Sequence, residues 1–484
     1  MDEANATVST TTSLREFSSS AEKRAYAEAL LRTLSFANVK FVRYLALDVC
    51  NNARCKAVPT AHLRKSGSVE YQVATAKVCF AGLPSFADAM QPETGLDAQD
   101  TVVLMPDLST LRILPYSPKS ALVLGNLHDQ RTGLLSDLCC RGLLQSILDK
   151  AADEHQIGFN VGAELEVCLY DAKTNQPVDL SNYAHTTTLN VQEEFIADVH
   201  DQLAQQDIEV EMIHAESAPG QLEFVLAYQD NAVRLADNVL LARESIVAIA
   251  RQHGLKAIFL PKVNPLAAGN GAHVHISMYD INDKSRTNLF VNQKSLSRRR
   301  QSFLLGSQSD ISEMGKSFME GILRHMPALL ALTVPTTNSF RRVGPGCWTG
   351  SQVTWAFEDK ESPLRVVANL HSQAWEHVEY KLCDSMANMY LALAGLLSAG
   401  MDGIAQKLDL RPSRHDDDVN SSETIALLPS TINESLEFLE QDELLNNEIP
   451  AAMLRGFIAL RRAEADRAAG MSLEQEVNEA LERA

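Results

Sequence analysis

Alternation and helical spacing of apolar residues divide the chain into three stretches. Residues 1–20 are rich in Ser, Thr and Ala and have no hydrophobic period, which predicts a mobile tail. From Ser20 to Leu34 apolar residues recur at helical spacing behind a serine cap, so the first 35 residues end in a helix. A β-rich run from Val39 to Asp48, a turn at Asn51-Asn52 and short strands at Cys55–Val58, Val69–Phe80 and Thr101–Leu104 then predict a small mixed-sheet unit over residues 36–115. Prolines from Pro106 to Pro118 close it.

The third stretch, residues 116–484, opens with an apolar strand at Leu122–Leu127 and an amphipathic helix at Gly142–Glu154. A strand at Asn160–Tyr170, a helix at Val191–Gln206 and strands at Ile208–His214 and Leu222–Ala227 follow. The helix Ala232–His253 stops at Gly254. The segment 292–312, with Arg298-Arg299-Arg300, reads as a polar surface loop. Helices are predicted at Ile311–Leu332, at Met386–Ala399 and through the C-terminal third, with an alternating strand at His377–Lys381. No period of 20–50 residues repeats, so a solenoid is excluded.

Chemistry concentrates in a few short runs. In Phe259–Ser277 the turn Gly269-Asn270-Gly271 precedes His273 and His275, which alternate and so face the same way. They suit either a metal or phosphate site or a half-buried strand whose imidazoles bond to backbone. Gly162-Ala163-Glu164-Leu165-Glu166 puts two carboxylates on one face of an otherwise apolar strand, which is costly unless that face is solvated or a divalent cation lies between them. Pro219-Gly220 turns the chain so that Glu216 and Glu223 can come together across a hairpin, with Glu211 upstream. Glu379 adds one more. A site of mostly carboxylates with one imidazole suits Mg²⁺ or Mn²⁺, and two such ions around a phosphoryl group serve transfer from ATP.

Composition narrows the partners. Acidic residues outnumber basic ones 62 to 43, a net charge of −19, which excludes a general nucleic-acid surface. The 8 cysteines are sparse and form no C-x-x-C, so reduced thiols are expected. With no basic-then-apolar leader and no run of about 18 apolar residues, a cytoplasmic protein without membrane spans is the expectation. Neither G-x-x-x-x-G-K-[ST] nor G-x-G-x-x-G occurs, so any nucleotide site is built without those loops.

The ordered runs GAELE, HAESAPGQLE, KVNPLAAGNGAHVHIS, PTTNSFRRVGPGCW and HVEYK, the last followed by Ala387-Asn388-Met389-Tyr390, resemble the type I glutamine synthetase superfamily over residues 36–484. VGPGCWTG followed by EDKESPLR looks closest to its eukaryotic branch of fungal developmental-regulator and plant nodulin-type domains. The resemblance implies an α+β fold, an N-terminal β-grasp domain followed by a large catalytic domain with an antiparallel sheet and surrounding helices, with active sites between the subunits of a ring-shaped homo-oligomer. It implies ATP, two or more Mg²⁺ or Mn²⁺, glutamate or an analogue, and an amine, joined through a γ-glutamyl phosphate.

By motif position, Glu166, Glu216 and Glu223 would hold one metal and Glu164, His273 and Glu379 the other. Glu211, His275 and Ser277 fall where the family contacts nucleotide. Arg342 matches an arginine on the glutamate carboxylate and Arg365 one facing the phosphates, while Gly269 and His273 border the acid. Lys360 and Lys381 replace arginines of the phosphate and carboxylate sites, and His377 replaces another basic position. Cys347-Trp348 stands where ammonia-using members carry a flap glutamate, and Phe80-Ala81-Gly82-Leu83 where many carry F-D-G-S-S. An intact metal end with an altered ammonium end favours ligation of an amine other than, or in addition to, ammonia. Ordinary glutamine synthesis and a non-catalytic scaffold are the competing readings.

Overall fold

The computed structural model describes residues 19–296, 307–369, 374–416 and 425–484. The expected tail before residue 19 and the Arg298-Arg299-Arg300 loop lie outside the described residues. The first helix, Ser20–Phe36, starts where Ser19 accepts the Glu22 N–H at 3.2 Å.

A six-stranded mixed sheet follows, in the order Ala53–Pro59, Phe41–Leu47, Ser120–Asp129, Thr101–Pro106, Val73–Ala76, with Arg112–Ile113 also paired to Ser120–Asp129. The sheet therefore runs past residue 115, because Ser120–Asp129 lies parallel to Phe41–Leu47 near its centre. Its first six residues are all buried, so it reads as a continuous apolar run whose pattern carries no sign of the sheet it joins. Elsewhere in this unit the expected Val69–Phe80 strand is only Val73–Ala76, followed by a helical turn Val78–Ala81 too short to show a period. A short helix Thr60–Ser66, ending at left-handed Gly67, was not foreseen.

The second sheet has eight strands: Trp355–Phe357, Leu364–Asn369, Ala374–Tyr380, Val274–Asp280, Ile157–Asp171, Gln221–Gln229, Val210–Ala215, with Leu255–Ile258 paired to Ile157–Asp171. All its pairs are antiparallel except Trp355–Phe357 with Leu364–Asn369. The helix expected at Val191–Gln206 is two, Thr186–Val191 and Glu193–Ala204, broken at Gln192.

Helices Cys140–His155, Ala232–Gln252, Glu313–Thr333 and Met389–Gln406 form the main helical core. Met389–Gln406 is apolar nearly all round, as a fully buried helix must be. It crosses Glu313–Thr333 at a pair of glycines, and a Cβ built on Gly321 would lie 2.1 Å from the Ala399 carbonyl oxygen. Buried Arg141 ties the end of strand Thr101–Pro106 to helix Ala232–Gln252, its Nη2 lying 2.8 Å from Asp107 and 2.9 Å from Asp237. No helix among the described residues is long and apolar enough to cross a membrane.

Candidate active site

The site is written in the register of the large sheet. Glu166 lies opposite Glu223, and Glu223 opposite His214. One row further, His275 pairs with Glu379 on one side and Gly162 on the other, and Glu379 pairs with Arg365. Residues directly opposite in a ladder share a face, so alternation along each strand brings these groups to one side of the sheet. A cavity of about 270 Å³ opens over that face.

Thirteen residues singled out in the sequence line this cavity: Glu164, Glu166, Glu216, Glu223, Gly269, His273, Arg342, Cys347, Trp348, Lys360, Arg365, Glu379 and Lys381. His275 lies beside it, its Nε2 3.1 Å from Glu164 Oε1, and Ser277 is buried further along the same strand. Glu211 is exposed on Val210–Ala215 and does not line the cavity.

The donors cluster as a metal site requires. His273 Nδ1 is 3.0 Å from Glu164 Oε2 and 3.4 Å from Glu379 Oε1, which brings together one of the two sets the motifs imply. In the other, Glu216 and Glu223 close on His214, and Glu166 stands apart from that triad. Glu166 accepts from Gln221 Nε2 at 2.8 Å, and the same amide donates to Gly269 O and Asn270 Oδ1.

Crowding shows in the protonation of these groups. Burial pushes the Glu223 carboxyl up to about 8 against the His214 hydrogen bond, and the charges of Glu164 and Glu166 push the same way. The bond to Glu223 lifts His214 to about 9, so this pair keeps its protons to higher pH than either group alone. Burial raises Glu166 and Glu216 as well. At Glu164 burial is outweighed by His275 and His273, which hold the carboxyl well below its ordinary range. Glu379 is held at about 2 against burial, chiefly by Lys381 and His275. Buried carboxylates that retain protons lack positive charge between them, and divalent cations would supply it. Carboxylate oxygens and imidazole nitrogens in triads within 4.8 Å are donors such ions accept.

Cationic groups surround the carboxylates. Arg365 Nη1 is 2.8 Å from Glu379 Oε2, and its other arm pairs with Glu358. Buried Arg342 donates to the backbone carbonyls of Leu382 at 2.7 Å and Lys381 at 2.9 Å. Behind the floor, His275 Nδ1 meets His377 Nε2 at 3.1 Å and the Tyr228 hydroxyl lies 3.3 Å from the same nitrogen. Burial and the charge of His275 push His377 down to about 3.

Residues 344–350 form a loop closed by a bridge between Gly344 and Gly350, from which Cys347, Trp348 and Thr349 line the cavity. Trp348 has φ +61°, and its N–H donates to Glu361 Oε1 at 2.9 Å while the Gly346 N–H donates to Glu361 Oε2 at 3.2 Å. Sequence reasoning missed His214, Tyr183, Met212 and Gln221. His214 alternates with Glu216, a usable sign of a shared face, and Gln221 shares the Glu223 face by the same rule. Tyr183 lies in a stretch between elements and carries no periodic signal.

A fold of two mixed sheets with helices and a carboxylate-rich, arginine-flanked site defines the class. Residues 137–480 match the glutamine synthetase catalytic domain. The chain belongs to the glutamine synthetase family, ATP-dependent ligases that join a carboxylate to an amine with the help of divalent metals. It is 32% identical to protein fluG of Emericella nidulans over 76% of its own length, and spans 40% of that protein. It is 30% identical to glutamine synthetase of Methanocaldococcus jannaschii, with 89% of this chain and 92% of that one covered. Identity is also 30% to γ-glutamylpolyamine synthetase GlnA3 of Streptomyces coelicolor, with coverages of 92% and 94%. A solved glutamine synthase homologue superposes with TM-score 0.78 at 25% identity, covering 92% of this chain and 99% of its own. GmaS with ADP shares the fold, with TM-score 0.74 at 24% identity and coverages of 94% and 99%.

Proposed function

We propose that this chain transfers the γ-phosphoryl of ATP to the γ-carboxylate of glutamate, or a close analogue, and joins the activated acyl group to an organic amine. The observation that carries this reading is the flap, which presents the Trp348 indole and spends Glu361 on the backbone N–H groups of Gly346 and Trp348. A flap carboxylate would hold an ammonium ion and take its proton, and an indole does neither. The relative named γ-glutamylpolyamine synthetase is consistent with an organic acceptor.

Glu166, Glu216 and Glu223 would hold one Mg²⁺ or Mn²⁺, and Glu164, His273 and Glu379 a second. Such ions neutralise charge on the transferring phosphoryl. Arg365 and Lys360 would bind its oxygens. Arg342, with two of five N–H donors committed to carbonyls, and Lys381 would orient the acid beside Gly269. Glu211, His275 and Ser277 would border the nucleotide. We read the first sheet as a β-grasp domain that meets a neighbouring subunit's site in a ring-shaped homo-oligomer of the cytoplasm.

Phosphate release from ATP tests the reading. Release that needs glutamate, a divalent metal and an amine, and that is lost in Glu379→Ala, is the expected result. Ammonium equal to or better than every organic amine would return the protein to glutamine synthesis. No release from folded protein would favour the scaffold, the reading that the lysines at positions 360 and 381 support.

A further inference from the structure

Three large apolar side chains that are about half exposed converge on the rim of the active-site cavity: Tyr183 at 54%, Met212 at 52% and Trp348 at 51%. They come from three separate segments, so chain proximity does not explain their meeting. Trp348 adopts left-handed backbone, φ +61°, which is strained for a bulky residue and which the Glu361 carboxylate maintains by accepting two flap N–H groups. The Tyr183 ring spans floor to rim, 5.8 Å from the His214 ring and with Lys360 Nζ 5.5 Å from its own centroid. The rim is therefore apolar with one ammonium, while the carboxylates lie on the floor. Glu358, two residues before Lys360, is engaged by Arg365 and by the Ala368 N–H.

We infer that the acceptor is a primary monoamine carrying an apolar alkyl or arylalkyl tail, which lies against Tyr183, Met212 and Trp348. This rests on the ligase reading above. A second ammonium on the acceptor would meet Lys360 and lose its hydration against apolar surface, so diamines and polyamines are disfavoured. In the transfer, the neutral amine nitrogen supplies its pair to the γ-acyl carbon and forms the C–N bond. The C–O bond to phosphate breaks, the oxygen keeping that pair, and the extra amine proton leaves with the phosphate.

The test compares kcat/KM across ammonium, methylamine, propylamine, butylamine, benzylamine and butane-1,4-diamine, with ATP, Mg²⁺ and glutamate saturating. Burying a methylene is worth about fourfold, so values should rise about two- to fourfold per carbon along the alkyl series. Benzylamine should exceed methylamine, and the diamine should fall at least about tenfold below butylamine. Tyr183→Ala and Met212→Ala should each lower the benzylamine-to-methylamine ratio several-fold, and Lys360→Met should raise the diamine-to-butylamine ratio. A profile flat or falling with tail length would overturn the inference and assign the apolar rim to contact between subunits. A diamine equal to butylamine would also overturn it. Either of those results with organic amines would sink this inference while the organic-amine ligase reading stood, whereas turnover with ammonium alone, or with no amine, would sink both.

Discussion

Replacing Gly321 with alanine sets two physical effects against each other. The residue sits mid-helix, where exchange of glycine for alanine gains about 1 kcal/mol in helix propensity. Against this, the new Cβ would stand 2.1 Å from the Ala399 carbonyl oxygen, 2.8 Å from Gly403 N and 2.9 Å from Gly403 Cα. All three are backbone atoms, so no side-chain rotation relieves the clash, and the helices Glu313–Thr333 and Met389–Gln406 must separate by about 1 Å to reach ordinary contact. With all three clashes against backbone, overpacking should cost the upper part of its usual range of about 1–3 kcal/mol, about 2–3, so the net should be a loss of about 1–2 kcal/mol. A Cβ on Gly403 would lie 2.0 Å from the Ser317 carbonyl oxygen, across the same crossing. One separation accommodates both methyls, so the double variant should cost little more than either single one. Urea unfolding followed by circular dichroism measures all three. A Gly321→Ala protein as stable as its parent, or strict additivity in the double variant, would refute this account of the crossing. Activity should fall with stability, because the two helices carry the chain into Asn338–Arg342 and out of Lys381–Asn388.

Three further outcomes are expected. Gln221→Leu removes the 2.8 Å bond to Glu166 and should weaken Mn²⁺ binding about 10–100-fold in a spin-resonance titration, whereas unchanged affinity would show that Glu166 needs no such support. His325 is flanked by Asp442 at 2.6 Å and Asp402 at 3.3 Å, which raise its pKa against burial. Its folded value thus lies above the unfolded one, so its contribution of about 1–3 kcal/mol is complete below the ordinary histidine range of about 6.5. That contribution is lost as pH rises through the folded value, and the gap in unfolding free energy between the protein and His325→Gln should shrink from pH 6 to pH 9; a gap that widens would contradict the sign. Trp348→Gly relieves about 1–2 kcal/mol of left-handed strain and adds a comparable unfolded-state entropy, so stability should change by less than about 1 kcal/mol while selectivity among amines is lost. A larger loss of stability would make Trp348 a packing anchor.

Much of the site was legible because it lies on strands, where period two and register do the positioning. Glu164 with Glu166, and His273 with His275, declare a shared face, and the structure puts each pair against the same group of acids. The metal groupings were less legible, since whether Glu166 or His214 closes on Glu216 depends on side-chain directions that alternation leaves open. Tyr183 was invisible for another reason, lying between elements where no period operates, whereas Met212 alternates with His214 and was readable from that spacing. In the fold, the long helices were found to within a few residues except Met389–Gln406, which runs on well past the expected Ala399, while Ser120–Asp129 was not assigned to its sheet because burial on both faces erases the alternation that marks a partner.

The strand Gln221–Gln229 carries an irregularity opposite Gly162, where Ala227 and Tyr228 together face a single residue of the neighbouring strand. Glu223 and Tyr228 are an odd number of positions apart, and in an unbroken strand odd separations fall on opposite faces. The extra residue reverses that parity, so a carboxylate of the metal cluster and the phenol beside His275 and His377 look the same way. Gly162, having no side chain, leaves the room Tyr228 then takes. Sequence length between positions 223 and 228 is thus a coded quantity: at this length the acid and the phenol share a face only because the strand carries the extra residue, and straightening the strand without trimming it would turn the phenol out of the site, with every side chain in the protein chemically unchanged.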